Sequence, residues 1–147
     1  MTDAPAILLV DDNDLDVEIL TRALAKADIN NPVIRAVDGI DALQILKDHA
    51  ANPHLPEPFV VLLDINMPRM NGLEFLSAMR NDPTLASRQV FVFSTSGHQA
   101  DIASAYAEHA SGYFVKPNKT SDLVLLLKAL KGFWDQCRYT TSNYSAQ

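Results

Sequence analysis

The stretch Phe59–Gly72, FVVLLDINMPRMNG, decides the fold of this chain. Phe59–Leu63 is a continuous apolar run, the mark of a strand covered on both faces, and it reads as the central strand. It stops at Asp64. Pro68 and Gly72 bound a loop, after which Leu73, Phe75, Leu76 and Met79 recur at helical spacing.

The same unit repeats outward in both directions. Ala6–Val10 is a buried strand ending in Asp11–Asp12; Asn13 or Asp14 can cap the helix that carries Leu15, Ile19, Leu20, Leu24 and Ala27. Pro32 breaks the chain before a second strand, Val33–Val37. Asp38–Gly39 is a turn, and Ile40, Leu43, Ile45 and Leu46 lie on a helix ending near His49. Ala50–Pro58 contains Pro53, Pro56 and Pro58 and is expected to be a surface loop. Beyond the central unit, Val90–Phe93 is a fourth strand running into Ser94–Thr95–Ser96–Gly97. Ile102, Ala105, Tyr106 and His109 mark a helix. Gly112–Val115 is a fifth strand ending in Lys116–Pro117. Thr120 or Ser121 can cap a last helix that reaches about Cys137. Residues 1–137 therefore form one domain, with a polar tail over 138–147. Five strands alternating with five helices predict an α/β fold, a parallel sheet with helices on both faces.

Composition narrows the function. With 147 residues, 48% hydrophobic and 20% charged, the chain suits one globular domain. The aliphatic runs AILLV, VVLL and LVLLL fall far short of the roughly 20 residues a membrane helix needs, and MTDAPAILLVDD has no basic patch before its apolar run, so a cytoplasmic protein is expected. A net charge of −6 argues against nucleic acid as the main partner. The single cysteine, Cys137, cannot form an internal disulfide, and His49, His54, His98 and His109 lack metal-ligand spacing.

Ligands of parallel α/β sheets bind at the carboxyl ends of the strands. Those ends here are Asp11–Asp12, Asp64, Ser94–Thr95 and Lys116. Each alone has a plain explanation: an Asp after a strand often only caps a helix, and a lone lysine is usually solvated. Together they describe one shallow site. Three close carboxylates are costly to ionise without a cation, and hard oxygen donors favour Mg²⁺ or Mn²⁺. The carbonyl of Asn66 could add an oxygen. A hydroxyl and an ammonium opposite suit a phosphoryl group, which Asp64 could accept as an acyl phosphate.

The segments ILLVDDN, VDGIDAL, VVLLDINMPRMNG, FSTSG and GYFVKP, in this order, resemble the response-regulator receiver domain of two-component signalling. The resemblance runs from Ala6 to Cys137. It implies a flavodoxin-like, doubly wound sheet of order 2-1-3-4-5 with five helices. It also implies that Asp64 is the phosphoacceptor, that Asp11, Asp12, Asp64 and the Asn66 carbonyl hold Mg²⁺, and that Lys116 and Ser94 contact the phosphoryl group. Tyr113 would be a switch aromatic, Lys116–Pro117 a cis peptide, and Gly72 a residue permitting a tight turn. Thr95 stands where a small Ala is usual, and the Ala50–Pro58 loop is longer than in a minimal receiver. That loop, NMPRMNG, STSG and the aromatic last helix are similar to stand-alone receivers paired with phytochromes. A sensor histidine kinase, a phytochrome among the candidates, is the implied phosphodonor.

The chain after Lys116 has room for one helix and no DNA-binding output domain, so the expected output is protein–protein contact or onward phosphotransfer. On the last helix Leu123, Leu126, Leu127, Leu130, Trp134 and Cys137 form one apolar face. Leu125, Ala129 and Phe133 form a second stripe, read as a homodimer contact to which a tail bearing Tyr139 and Tyr144 could add. Two rivals carry less: a metal-dependent phosphohydrolase, which would want an acid where Asn66 stands, and a degenerate receiver acting only as a binding module, against which Asp64, Asp12 and Lys116 argue.

Overall fold

The computed structural model describes residues 5–139. Five strands alternate with five helices: β1 (Ala6–Val10), α1 (Asp14–Lys26), β2 (Val33–Ala36), α2 (Gly39–Ala51), β3 (Phe59–Leu63), α3 (Gly72–Asn81), β4 (Val90–Ser94), α4 (Gln99–Ala107), β5 (Gly112–Val115) and α5 (Thr120–Gln136). All neighbouring strands pair in parallel in the order β2-β1-β3-β4-β5, the doubly wound arrangement expected.

Period-two alternation splits each central strand between two cores. Leu8, Val10, Val61, Leu63, Val90 and Val92 pack with Leu46, Phe75, Leu76 and Met79 under α2 and α3. Ile7, Leu9, Val60, Leu62, Phe91 and Phe93 face the other way, onto Leu20, Leu24, Leu127, Leu130 and Trp134 of α1 and α5. Both faces of the sheet are therefore covered, which is why β1, β3 and β4 are buried along their whole length.

The boundaries differ from the sequence reading in instructive ways. Asn13, not Asp14, caps α1, its side chain accepting the Asp16 N–H. At α5 neither Thr120 nor Ser121 is the cap. The cap position is Lys119, without a side-chain hydrogen bond, because the helix already includes both hydroxyl residues in its first turn. His109 lies beyond α4, in the left-handed region at φ 60°. The cis peptide precedes Pro58, not Pro117.

α2 runs past His49 to Ala51, so the proline-rich connection is shorter than expected, and a buried network ties it down. His49 Nδ1 accepts N–H groups from His54 and Leu55, at 3.0 and 2.9 Å. The proton is therefore on Nε2, which donates to Glu57 at 2.7 Å. Arg88 meets both Glu57 oxygens, at 2.8 and 2.7 Å, and its guanidinium lies 4.2 Å over the Phe59 ring. This network sits at the amino ends of β3 and β4, opposite the acidic residues.

On α5, Leu125 and Phe133 are 64% and 51% exposed. The second stripe is thus largely exposed, although the Phe133 ring also meets Phe91 edge-on with centroids 6.0 Å apart. Tyr139 turns back to donate to the Trp134 carbonyl at 3.3 Å, and Tyr144 lies outside the described residues. Among the described residues no helix is long and apolar enough to cross a membrane.

Candidate phosphoacceptor site

Parallel pairing sets Val10 of β1 beside Leu63 of β3, so Asp11 and Asp64 leave the sheet side by side. Both are buried, at 2% and 8% exposure. The Asp11 carboxylate accepts the Asn13 N–H at 2.9 Å, and Asp64 accepts that of Asn66 at 3.4 Å. Arg35 of β2 fixes the loop from outside: it donates to the Asp11 carbonyl from Nε and Nη2, and its Nη1 reaches Asp14 at 2.6 Å.

Behind Asp64 the chain passes so close that only glycine fits. A Cβ on Gly72 would come within 2.4 Å of the Asp64 carbonyl oxygen and 2.7 Å of the Ile65 Cα. Gly72 also donates its N–H to the Ile65 carbonyl at 2.8 Å, closing the loop that presents Asp64. Close approach, rather than an unusual φ, is its requirement. Arg69 in the same loop pairs with the buried Asp38 that caps α2, linking two loops at this end of the sheet.

Lys116 arrives from the end of β5. Its ammonium is 3.3 Å from Asp11 and 3.5 Å from Asp16, and it pairs with neither oxygen of Asp64. Burial works to lower the lysine's pKa, but Asp64, Asp11 and Asp16 outweigh it and hold it above its ordinary value. Asp64 itself is pushed up to about 6, by burial first and by the neighbouring Asp11 and Asp16 charges, with Lys116 opposing. This is a carboxylate short of positive charge.

Ser94, fully buried, turns its hydroxyl toward its own loop, accepting the Ser96 N–H at 3.1 Å. Its carbonyl accepts the Lys116 N–H, so the two residues are adjacent across the sheet. Thr95 is exposed. Tyr113 is half-buried, its hydroxyl donating to the Ser96 carbonyl at 2.8 Å while its N–H donates to the Tyr106 hydroxyl at 3.2 Å.

Of the carboxylates named from the strand ends, Asp11 and Asp64 come together and Asp12 does not. The oxygens of Asp11, Asp16 and Asp64 lie within 4.8 Å of one another, whereas Asp12 is exposed in the loop between β1 and α1. Asn66 is exposed two residues past Asp64. The strand-end rule does not reach Asp16, which belongs to the first turn of α1. The one signal for it is the Asn13 cap, which fixes the helical phase and turns Asp16 toward the sheet. Asp11 and Asp64, adjacent hard-oxygen donors with no His or Cys beside them, fit a hard divalent cation, and Asp16 adds a third negative charge to the cluster. A groove of about 240 Å³ opens beside them, lined by Asp16, Ile19, Leu20, Lys116, Pro117 and Leu123 among others.

Residues 7–128 match the response regulator receiver domain family. Response regulator Rcp1 of Synechocystis sp. is 30% identical over 128 residues, covering 87% of each chain. The structure of the phosphorylated cyanobacterial phytochrome response regulator RcpA is similar at TM-score 0.78 and 34% identity, over 90% of this chain and 94% of that one. That of Mn²⁺-bound Rcp1 is similar at TM-score 0.78 and 28% identity, over 93% and 99%. A response regulator in red light signalling of R. palustris reaches TM-score 0.80 at 31% identity, over 93% and 99%. With its sheet order, its clustered acids and a lysine at the end of β5, the chain belongs to the response regulator receiver domains of two-component systems.

Proposed function

We propose that this chain is a phosphorylation switch whose acceptor is Asp64, loaded by a sensor histidine kinase. The carrying observation is the meeting of Asp64, Asp11 and Lys116 at one end of the sheet. An Asp64 oxygen attacks the phosphorus of a phosphohistidine. The N–P bond breaks, the imidazole leaves and takes a proton from water, and the carboxylate becomes an acyl phosphate. Asp11, Asp12, Asp64 and the Asn66 carbonyl would hold a Mg²⁺ or Mn²⁺ ion, which supplies positive charge for the phosphoryl oxygens. Lys116 adds its ammonium to the same oxygens, and Ser94 reaches them by giving up its bond to Ser96. The state then changes along the Ser94–Ser96–Tyr113 line, because freeing the Ser96 backbone loosens the Tyr113 hydroxyl it accepts from.

The phytochrome response regulators among its relatives support a phytochrome-linked kinase as donor, and hence a cytoplasmic setting. Exposed Leu15 and Ile19 on α1, beside the groove, offer that kinase an apolar contact. Signalling runs by protein contact, without nucleic acid or membrane and without catalysis on another substrate, in keeping with the net charge of −6. Exposed Leu125, Ala129 and Phe133 support a homodimer through α5.

The test is intact-protein mass spectrometry after incubation with a small acyl-phosphate donor and Mg²⁺. A single phosphoryl adduct that needs Mg²⁺ and disappears in Asp64→Asn is expected. An adduct of equal yield in Asp64→Asn would place the acceptor elsewhere.

A further inference from the structure

Asp11 has two claimants. Lys116 hydrogen-bonds it at 3.3 Å, and the divalent cation of the proposed site would need the same carboxylate. Two positive charges on one carboxylate repel at short range, so a cation arriving at Asp11 must push the ammonium off it. The acids of the β1–α1 loop and the first turn of α1 differ in what they can offer the displaced lysine. Asp14 is held by Arg35 at 2.6 Å. Asp12 is exposed in the loop. Asp16 is 3.5 Å from the ammonium, its N–H is fixed by the Asn13 side chain at 3.0 Å, and its carboxylate has no other hydrogen-bond partner among the described residues.

We propose that Asp16 is a positioning residue for Lys116: it takes over the ammonium when a divalent cation occupies Asp11, so that both positive groups fit into the one acidic cluster. This rests on the reading of Asp11 and Asp64 as cation ligands. Asp16 is not itself required as a ligand, because its partner is the lysine. Without Asp16 the ammonium has only Asp11 and competes with the cation for it. With Asp16 the ammonium stays within reach of the Asp64 oxygens, poised for a phosphoryl group.

A double-mutant cycle read by Mn²⁺ titration, with free Mn²⁺ followed by electron paramagnetic resonance, tests this on the full chain. Asp16→Asn should weaken Mn²⁺ binding roughly tenfold, the lower end of what an outer-shell carboxylate costs. Asp16→Glu should restore most of it. In a Lys116→Gln background, where no ammonium competes, Asp16→Asn should change the affinity by no more than about threefold. Equal losses in both backgrounds would make Asp16 a direct ligand and overturn the proposal, as would no loss in either. A wild-type protein that binds no Mn²⁺ would instead overturn the cation site itself, a result distinct from either. Circular dichroism of each variant establishes that it is folded.

Discussion

Arg35 donates two hydrogen bonds to the main-chain carbonyl of Asp11, at 3.1 and 3.0 Å, from a strand that contributes nothing else to the site. Because the guanidinium also holds Asp14, it clamps both ends of the loop that carries Asp12. Arg35→Ala is expected to cost about 2 kcal/mol of stability, the value of hydrogen bonds from a charged donor. It should also weaken Mn²⁺ binding several-fold. Arg35→Lys should not rescue it, since a lysine lacks the planar fork. Chemical denaturation and Mn²⁺ titration of the two variants check this.

Asp64 carries a pH signature. Its pKa is raised from 3.8 to about 6, so the folded state holds this proton more tightly than the unfolded state does. Stability contributed by the protonated group is present below the unfolded value and is lost as pH rises from about 4 to about 6. In buffer free of divalent cations, Asp64→Asn should therefore be more stable than wild type at pH 8, by about 2 kcal/mol, and nearly equal to it at pH 3. Urea titrations at the two pH values read the difference. Equal stability at pH 8 would mean that Asp64 is not strained by burial.

Gly72→Ala should harm both fold and site. The new methyl group has no room against the Asp64 carbonyl and the Ile65 backbone, so the loop must shift. A loss of about 2–3 kcal/mol is expected from overpacking against backbone, together with a lower yield of phosphoryl adduct in whatever protein remains folded. By contrast Gly132→Ala, with open space around it, should leave stability equal or slightly higher, since it replaces a helical glycine.

The network at the other end of the sheet should separate stability from chemistry. Burial raises the Glu57 pKa, but Arg88 and His49 outweigh it and the net shift is downward. The stability this group contributes is present above its ordinary 4.5 and falls away as pH drops below it toward the folded value. Arg88→Ala leaves a half-buried carboxylate with His49 as its remaining partner and is expected to cost about 2 kcal/mol at pH 7 with unchanged Mn²⁺ affinity. Glu57→Gln should flatten the acid limb of the stability profile. Thermal melts from pH 7 to pH 3 distinguish these outcomes.

Leu125 and Phe133 give the dimer its test. Multi-angle light scattering of wild type, with and without phosphorylation, should give the mass of a dimer in at least one state. Leu125→Lys with Phe133→Lys should give a monomer with unaltered phosphoryl acceptance. A monomeric wild type in both states would remove the dimer.

What the sequence makes legible is what a strand end makes legible. Asp11, Asp64, Ser94 and Lys116 each terminate an apolar run, so their placement follows from the strands alone. Asp16 and Arg35 act through rotations that the sequence does not print. One depends on the helical phase set by the Asn13 cap, the other on which side of an edge strand faces its neighbour's loop. His49 illustrates a third limit: a histidine inside a helix looks unremarkable until the proline-rich connection folds back to offer it two N–H groups. Asp12 shows the converse, since adjacency in sequence to Asp11 did not bring its carboxylate into the same cluster.

The lysine and the acid it rests on are separated by 105 positions, one near each end of the fold. As the polypeptide emerges during synthesis, β1 and β3 can pair and set Asp11 beside Asp64 well before β5 exists. A partly made domain in which β1 and β3 have paired would have its acids assembled and no ammonium between them. Only when the last strand docks does the acidic end of the sheet receive its internal counter-charge, so chemical competence waits on the docking of β5.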